Sequence, residues 1–308
     1  MNPAYTATVQ LLLAVAPLVF ESRFFAMKGG TALNLFVQDL PRLSVDIDVV
    51  FTSHEMPRDD ALAAIAGELA AAKARIEKRG FAARLHRTKS GDEAKLFVTD
   101  GPNEVKVEVN HVFRGTALPV VRTSLTPVAQ EMFAANIELP VLDTAELYGS
   151  KLVAALDRQH PRDLFDVKCM VDRFGLPASF VDCFVVYLAG HNRPVHEVLF
   201  ATPQPLTEVF VSEFEGMTNV PVTLGSLEAT RTWLFDGVPG ALTANHRAFL
   251  LSLVEGRPKW ELMPFVHLKD LPAIRWKLAN LDNLGKKHPA RFAQQHAALA
   301  AGFVRLDS

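Results

Sequence analysis

The stretch FAMKGGTALNLFVQDLPRLSVDIDVVF, residues 25–51, places a glycine pair shortly before two aspartates separated by one apolar residue. Side chains at i and i+2 of a strand project to the same side. In VDIDVVF (45–51), Asp46 and Asp48 therefore share a face, and Ile47 points the other way, toward a core. Two adjacent carboxylates repel. The arrangement is unfavourable unless a cation neutralises it, and hard oxygen ligands at this spacing suit Mg²⁺ held jointly with substrate phosphates. Upstream, the short strand FFAM is broken by Gly29 and Gly30, and a short helix begins near Thr31. Glycines let backbone N–H groups approach an anion with no Cβ in the way, and a helix start behind them adds a positive dipole end. Alone, the glycine pair reads as a tight turn. Followed by the two aspartates, it reads as a cradle for a triphosphate whose metal the aspartates hold.

The same reasoning selects Glu108. In VKVEVN, residues 105–110, Lys106, Glu108 and Asn110 share one face and the three valines the other. A third carboxylate on a neighbouring strand would complete a two-metal site, which clamps the attacking and leaving oxygens of a phosphoryl displacement. A solvent-facing glutamate on an amphipathic strand is the plain alternative. A second constellation lies in ELYGSKLVAALDRQHPRDLFD, residues 146–166. Lys151 and Arg158 are two helical turns apart and reach one side, with the small Ala154 and Ala155 between them, as in an anion clamp. Arg162 and Asp166 are four apart on the next helix, where an i,i+4 ion pair is the simple reading.

The rest of the chain supplies the frame. A length of 308 residues, 49% apolar and 21% charged, is that of a folded protein with a substantial core. A net charge of −2 excludes a global footprint for nucleic acid. Residues 257–308, however, carry nine Lys and Arg against four acids, either a solvated helical face or a surface for RNA. Cys169 and Cys183 have neither zinc spacing nor a disulfide framework, which fits a reducing cytoplasm. The apolar run LLLAVAPLVF (11–20) is too short to span a bilayer and reads as a buried helix, with no membrane partner. A helix over 57–79, capped by Gly80, is followed by the strands FAARLHR, KLFVTD and EVKVEVNHVF, with a turn at Asp100–Asn103. Beyond Pro140 the pattern turns helical, with helices at 144–158 and 162–174. The fold class is α+β. A mixed sheet flanked by helices occupies residues 1–140, and a mainly helical domain, 141–308, contributes Lys151 and Asp166 to the active site.

Together KGGTALNL, RLSVDIDVVF, KLVAALDR and RDLFD resemble the AbiEii/AbiGii toxin family of nucleotidyltransferases, within the DNA polymerase β-like superfamily, over about residues 20–175. The resemblance implies metal aspartates at Asp46 and Asp48, with Glu108 as third acid. It also implies a phosphate-binding turn at Gly29, Gly30, Thr31 and Ser44, a triphosphate-handling Lys151, and a late catalytic acid at Asp166 supported by Arg158 and Arg162. Many superfamily members carry Gly-Ser where this chain has Gly29-Gly30-Thr31, and here the threonine hydroxyl takes the serine's place. The family includes toxins of toxin–antitoxin and phage-defence systems, some of which add nucleotides to the tRNA 3′ end and block translation; the cognate antitoxin is usually a separate protein. The expected reaction is Mg²⁺-dependent transfer of NMP from NTP to an RNA acceptor, with Glu108 or Asp166 orienting or deprotonating the acceptor hydroxyl. Two alternatives differ in kind: transfer to a small-molecule or protein hydroxyl, and nucleotide binding without turnover.

Overall fold

The computed structural model describes residues 3–87 and 94–307. The chain forms two compact units, one of residues 1–147 with 217–221, the other of residues 148–216 with 222–308.

The first unit is built on a mixed seven-stranded sheet. Its elements are α1 (Pro3–Val19), β1 (Phe25–Lys28), α2 (Gly29–Ala32), β2 (Asp46–Phe51), α3 (Arg58–Lys78), β3 (Ala82–Arg87), β4 (Ala94–Thr99), β5 (Glu104–Asn110), β6 (Val121–Ser124), α4 (Pro127–Phe133) and β7 (Glu138–Val141). The strand order is β3-β4-β5-β2-β1-β7-β6. β2 lies at the centre, antiparallel to β1 and parallel to β5. Alternation decides its faces: Ile47 and Val49 of β2, with Val105, Val107 and Val109 of β5, are buried on one side, where α1 packs. The apolar run at 11–20 lies within α1 except for its last residue, Phe20, which follows the helix, and Leu12, Val15 and Ala16 are fully buried. No described helix is long and apolar enough to cross a membrane. The three expected strands form β3, β4 and β5, which pair in an antiparallel run, and the turn before β5 is closed by Asn103, whose N–H and Nδ2 donate to Asp100 Oδ1 at 3.2 and 3.0 Å.

Two features were not legible in the sequence pattern. Strands β6 and β7 extend the sheet beyond β1, and the glycine-turn helix α2 runs straight into a π-helical turn, Leu33–Val37. The loop between that turn and β2 is strapped by the distant segment Met217–Pro221. Leu43 N–H donates to Met217 O at 3.3 Å, Asn219 N–H to Pro41 O at 2.8 Å, and Asn219 Nδ2 to Leu40 O at 2.8 Å.

The second unit is helical: α5 (Thr144–Arg158), shared with the first unit at its start, α6 (Pro161–Phe174), α7 (Ala178–Ala189), α8 (Val195–Leu199), α9 (Thr207–Glu213), α10 (Leu224–Gly240), α11 (Ala244–Val254), α12 (Pro272–Lys287) and α13 (Pro289–Leu306). Tyr148 of α5 is fully buried, stacked on Phe180 at 5.2 Å and tilted against Phe174 at 5.7 Å, which ties α5 to α6 and α7. The next residue, Gly149, lets α5 approach α7 closely: a Cβ there would lie 2.6 Å from Phe184 N and Cys183 Cβ. Because both neighbours belong to a packed helix, Gly149→Ala is expected to cost about 1–3 kcal/mol through overpacking. An unchanged urea midpoint would refute that tight crossing.

Lys277 of α12 is buried, and its Nζ donates to the carbonyls of His191 and Arg193 at 3.0 and 2.5 Å. Burial pushes its ammonium down to about 8, with the Glu197 carboxylate pulling the other way. An unfolded lysine keeps its proton to its ordinary value of 10.5, so between pH 8 and 10.5 the unfolded chain binds more protons. The penalty for burying this charge is thus fully present below the folded value and disappears as pH rises through the unfolded one. Relative to Lys277→Met, wild-type stability should gain about 2–3 kcal/mol between pH 7.5 and 10. Chemical denaturation at the two pH values measures this, and a pH-independent difference would contradict it.

Candidate active site

The two aspartates stand as the alternation predicts, half-buried on the face of β2 opposite Ile47. The register places Asp48 across from Lys28 of β1 and Glu108 of β5, and Asp46 across from Lys106. Gly29, at the end of β1, has φ +77° and lies directly against Asp48, so that a Cβ there would run into the Asp48 carboxylate. The missing side chain of Gly30 is answered in the same way by Arg42, whose Nη2 would be 2.7 Å from a Cβ, and by Ser44 Oγ at 3.1 Å. The glycine pair therefore admits a carboxylate and a guanidinium to the turn.

Thr31 follows, fully buried, with Oγ1 2.9 Å from Ser44 Oγ and 2.5 Å from the carbonyl oxygen of Asp46. A hydroxyl has one proton and the carbonyl can only accept, so Thr31 donates to Asp46 O, pinning the turn to the start of β2. Asn34 Nδ2 donates to Gly30 O at 2.8 Å and fixes the turn from the other side. Arg42 is buried, with Nη1 donating to Leu43 O at 3.0 Å. Its position was not legible, because it depends on the strapped loop.

Glu108 shares the aspartates' face, as expected, but lies between two ammonium groups: Lys106 Nζ at 2.9 Å and Lys95 Nζ at 3.3 Å. Burial alone would push its carboxyl up; the hydrogen bond and charge of Lys106, with those of Lys95, outweigh this and hold it below the usual carboxylate value. Reciprocally, the hydrogen bond to Glu108 raises Lys106 above an ordinary lysine against the effect of burial, helped by the charges of Asp46, Glu108 and Asp48. Among the described residues, no group of three or more His, Cys, Asp and Glu side chains gathers to hold a metal ion. Asp46 and Asp48 fit a magnesium ion that takes its remaining ligands from phosphates and water, as this hard, strongly hydrated cation commonly does.

In the second unit, Lys151 and Arg158 reach one side of α5, as their spacing predicts, and meet a carboxylate there. Lys151 Nζ lies 2.8 Å from Asp163 Oδ1 and 2.9 Å from Asp166 Oδ2, and Arg158 Nη2 lies 2.7 Å from Asp163 Oδ2. Lys151, Asp163 and Asp166 are buried, and the Arg158 side chain is 61% exposed. Asp163 is the member the sequence reading passed over. Its signal was present, three residues before Asp166 on α6 and so on the same helical face. Arg162 is exposed and makes no ion pair with Asp166; its N–H donates to His160 Nδ1 at 3.1 Å at the helix start. Asp157 faces away from Lys151 and binds Arg193 Nη1 at 2.7 Å.

A family model described as nucleotidyl transferase AbiEii toxin, type IV TA system, matches residues 10–280. Among solved structures the chain is similar to MenT4, a nucleotidyltransferase toxin from Mycobacterium tuberculosis H37Rv, with a TM-score of 0.59 and 19% identity over 91% of this chain and 95% of that one. At that identity the likeness speaks for the fold. A comparison with curated proteins gave no match.

Proposed function

Given that the chain belongs to the AbiEii family of nucleotidyltransferase toxins of type IV toxin–antitoxin systems, we propose that it transfers NMP from an NTP to RNA, the acceptor being the 3′ end of tRNA. The observation that carries this reading is the Asp46–Asp48 pair on one face of β2, packed against the Gly29 turn. Magnesium bound by these carboxylates supplies neutralising charge at the phosphates. The chain's own residues do the rest. Arg42 and Ser44 beside Gly30 orient phosphate oxygens; within its own unit Lys151 is held between Asp163 and Asp166, and a role in handling the triphosphate is assigned to it on the family resemblance alone. The displaced group is pyrophosphate, and an acceptor hydroxyl forms the new bond to the α-phosphorus as it loses its proton.

RNA is favoured by the C-terminal surface. Arg257, Lys259, Lys269, Lys287 and Arg291 are exposed there, and Trp276, 58% exposed on α12, offers a flat ring on which a base can stack. A toxin of this type implies a cognate antitoxin, and we place both in the cytoplasm. Incubating the protein with Mg²⁺, total cellular RNA and each α-labelled NTP in turn tests the proposal. Label in tRNA-sized bands from one NTP is expected. Label only on small molecules or protein would reassign the acceptor, and NTP binding with no pyrophosphate release for any acceptor would refute the enzymatic reading.

A further inference from the structure

The face that carries Asp46 and Asp48 alternates acids with lysines. Across the ladder, Asp48 stands between Lys28 and Glu108, and Glu108 between Asp48 and Lys95, while Asp46 stands opposite Lys106. Residues directly opposite each other in a sheet share a face, so these groups form one polar array. Within it, Lys106 Nζ lies 3.7 Å from Asp46 Oδ2 and 2.9 Å from Glu108 Oε2. The ammonium bridges Asp46 and the acid of the adjacent strand that stands across from Asp48, while Glu104, the other acid on that face of β5, is exposed at the strand's start.

We propose that Lys106 holds the position of the second metal ion of a two-metal site: the Asp46–Asp48 pair takes one divalent cation per bound nucleotide, Lys106 supplies the other positive charge to the phosphates, and Glu108 anchors Lys106 instead of ligating metal. The inference rests on the nucleotidyltransferase reading above. Two observations support it. A cation lying between the carboxylates of Asp46 and Glu108 excludes a second divalent ion from the same gap by charge and by volume. Glu108 is engaged at both oxygens, Oε2 by Lys106 and Oε1 by Lys95, so as a ligand it would have to give up two ion pairs. One chemical consequence follows. An ammonium neutralises phosphate charge but does not acidify a bound hydroxyl as a metal does, so the acceptor proton must leave to a base or to water.

The test counts ions. Full-length protein saturated with a non-hydrolysable α,β-methylene NTP is titrated with Mn²⁺, and bound metal is measured from the free Mn²⁺ electron paramagnetic resonance signal. Circular dichroism checks the fold of each variant. One Mn²⁺ per complex is expected for wild type and Lys106→Arg, and two for Lys106→Ala, falling back to one when Glu108→Gln is added. Two ions in wild type, with one lost in Glu108→Gln alone, would overturn the proposal, as would one ion in both wild type and Lys106→Ala. Failure of the underlying reading looks different: Mn²⁺ uptake would then be the same in Asp48→Asn as in wild type.

Discussion

Asp48→Asn should abolish nucleotidyl transfer and leave the chain about as stable as wild type. On the metal-binding role proposed for Asp48, removing its charge is expected to slow turnover by at least about 10²–10³-fold, the scale on which preorganised electrostatic contacts act. Stability should move the other way or hardly at all. Asparagine has the shape of aspartate, so it fits the space that Gly29 leaves open, and its loss of charge relieves repulsion from Asp46. Opposing this is a weakened attraction to the lysines around it, Lys28 across the ladder and Lys106, and exposed charge pairs of this kind are each worth about 1 kcal/mol or less. Label incorporation and thermal denaturation on the same preparation measure both effects. Retained turnover with normal metal dependence would remove Asp48 from the metal site, and a large fall in melting temperature would make it a structural residue.

Lys151→Met should differ in its stability, with activity and stability both falling. The ammonium neutralises two buried carboxylates, and Arg158, mostly in solvent, touches only one of them. Removing one partner of a buried ionic cluster leaves charge uncompensated and costs about 3–5 kcal/mol. The size of the loss therefore depends on the acids. Adding Asp166→Asn to Lys151→Met should recover a large part of the stability, because the remaining Asp163 still has Arg158, and should recover no transfer. Urea denaturation of the single and double variants decides the matter: an unchanged midpoint in Lys151→Met, or no recovery in the double variant, would show that the cluster is not held by that charge.

Much of this arrangement was legible because it depends on local periodicity. The common face of Asp46 and Asp48 follows from the strand repeat, and the convergence of Lys151 with Arg158 from two helical turns. What stayed hidden depends on register or on distant chain. β6 and β7 are four-residue strands whose sequences, VRTS and ELPV, lack a clear apolar alternation, and β7 contains a proline, normally a mark against a strand. Lys95 reaches Glu108 only because β4 pairs with β5 in one particular register, which the sequence does not state. Asp163 is readable from its spacing, three residues before Asp166 on one face of α6, but that it joins both Lys151 and Arg158 depends on how α5 and α6 pack.

The strap formed by Met217–Pro221 bears on how the protein comes into being. The first unit is not a continuous length of chain: its last piece is not made until residue 221, although the sheet and its helices are complete by residue 147. At roughly 5–20 residues per second, the ribosome takes on the order of 4–15 s to cover that interval. Throughout it the loop that carries Arg42 and Ser44 lacks the hydrogen bonds that Met217 and Asn219 provide. The turn beside the paired aspartates thus gains this support late in synthesis, some seventy residues after the last strand of its sheet has been made.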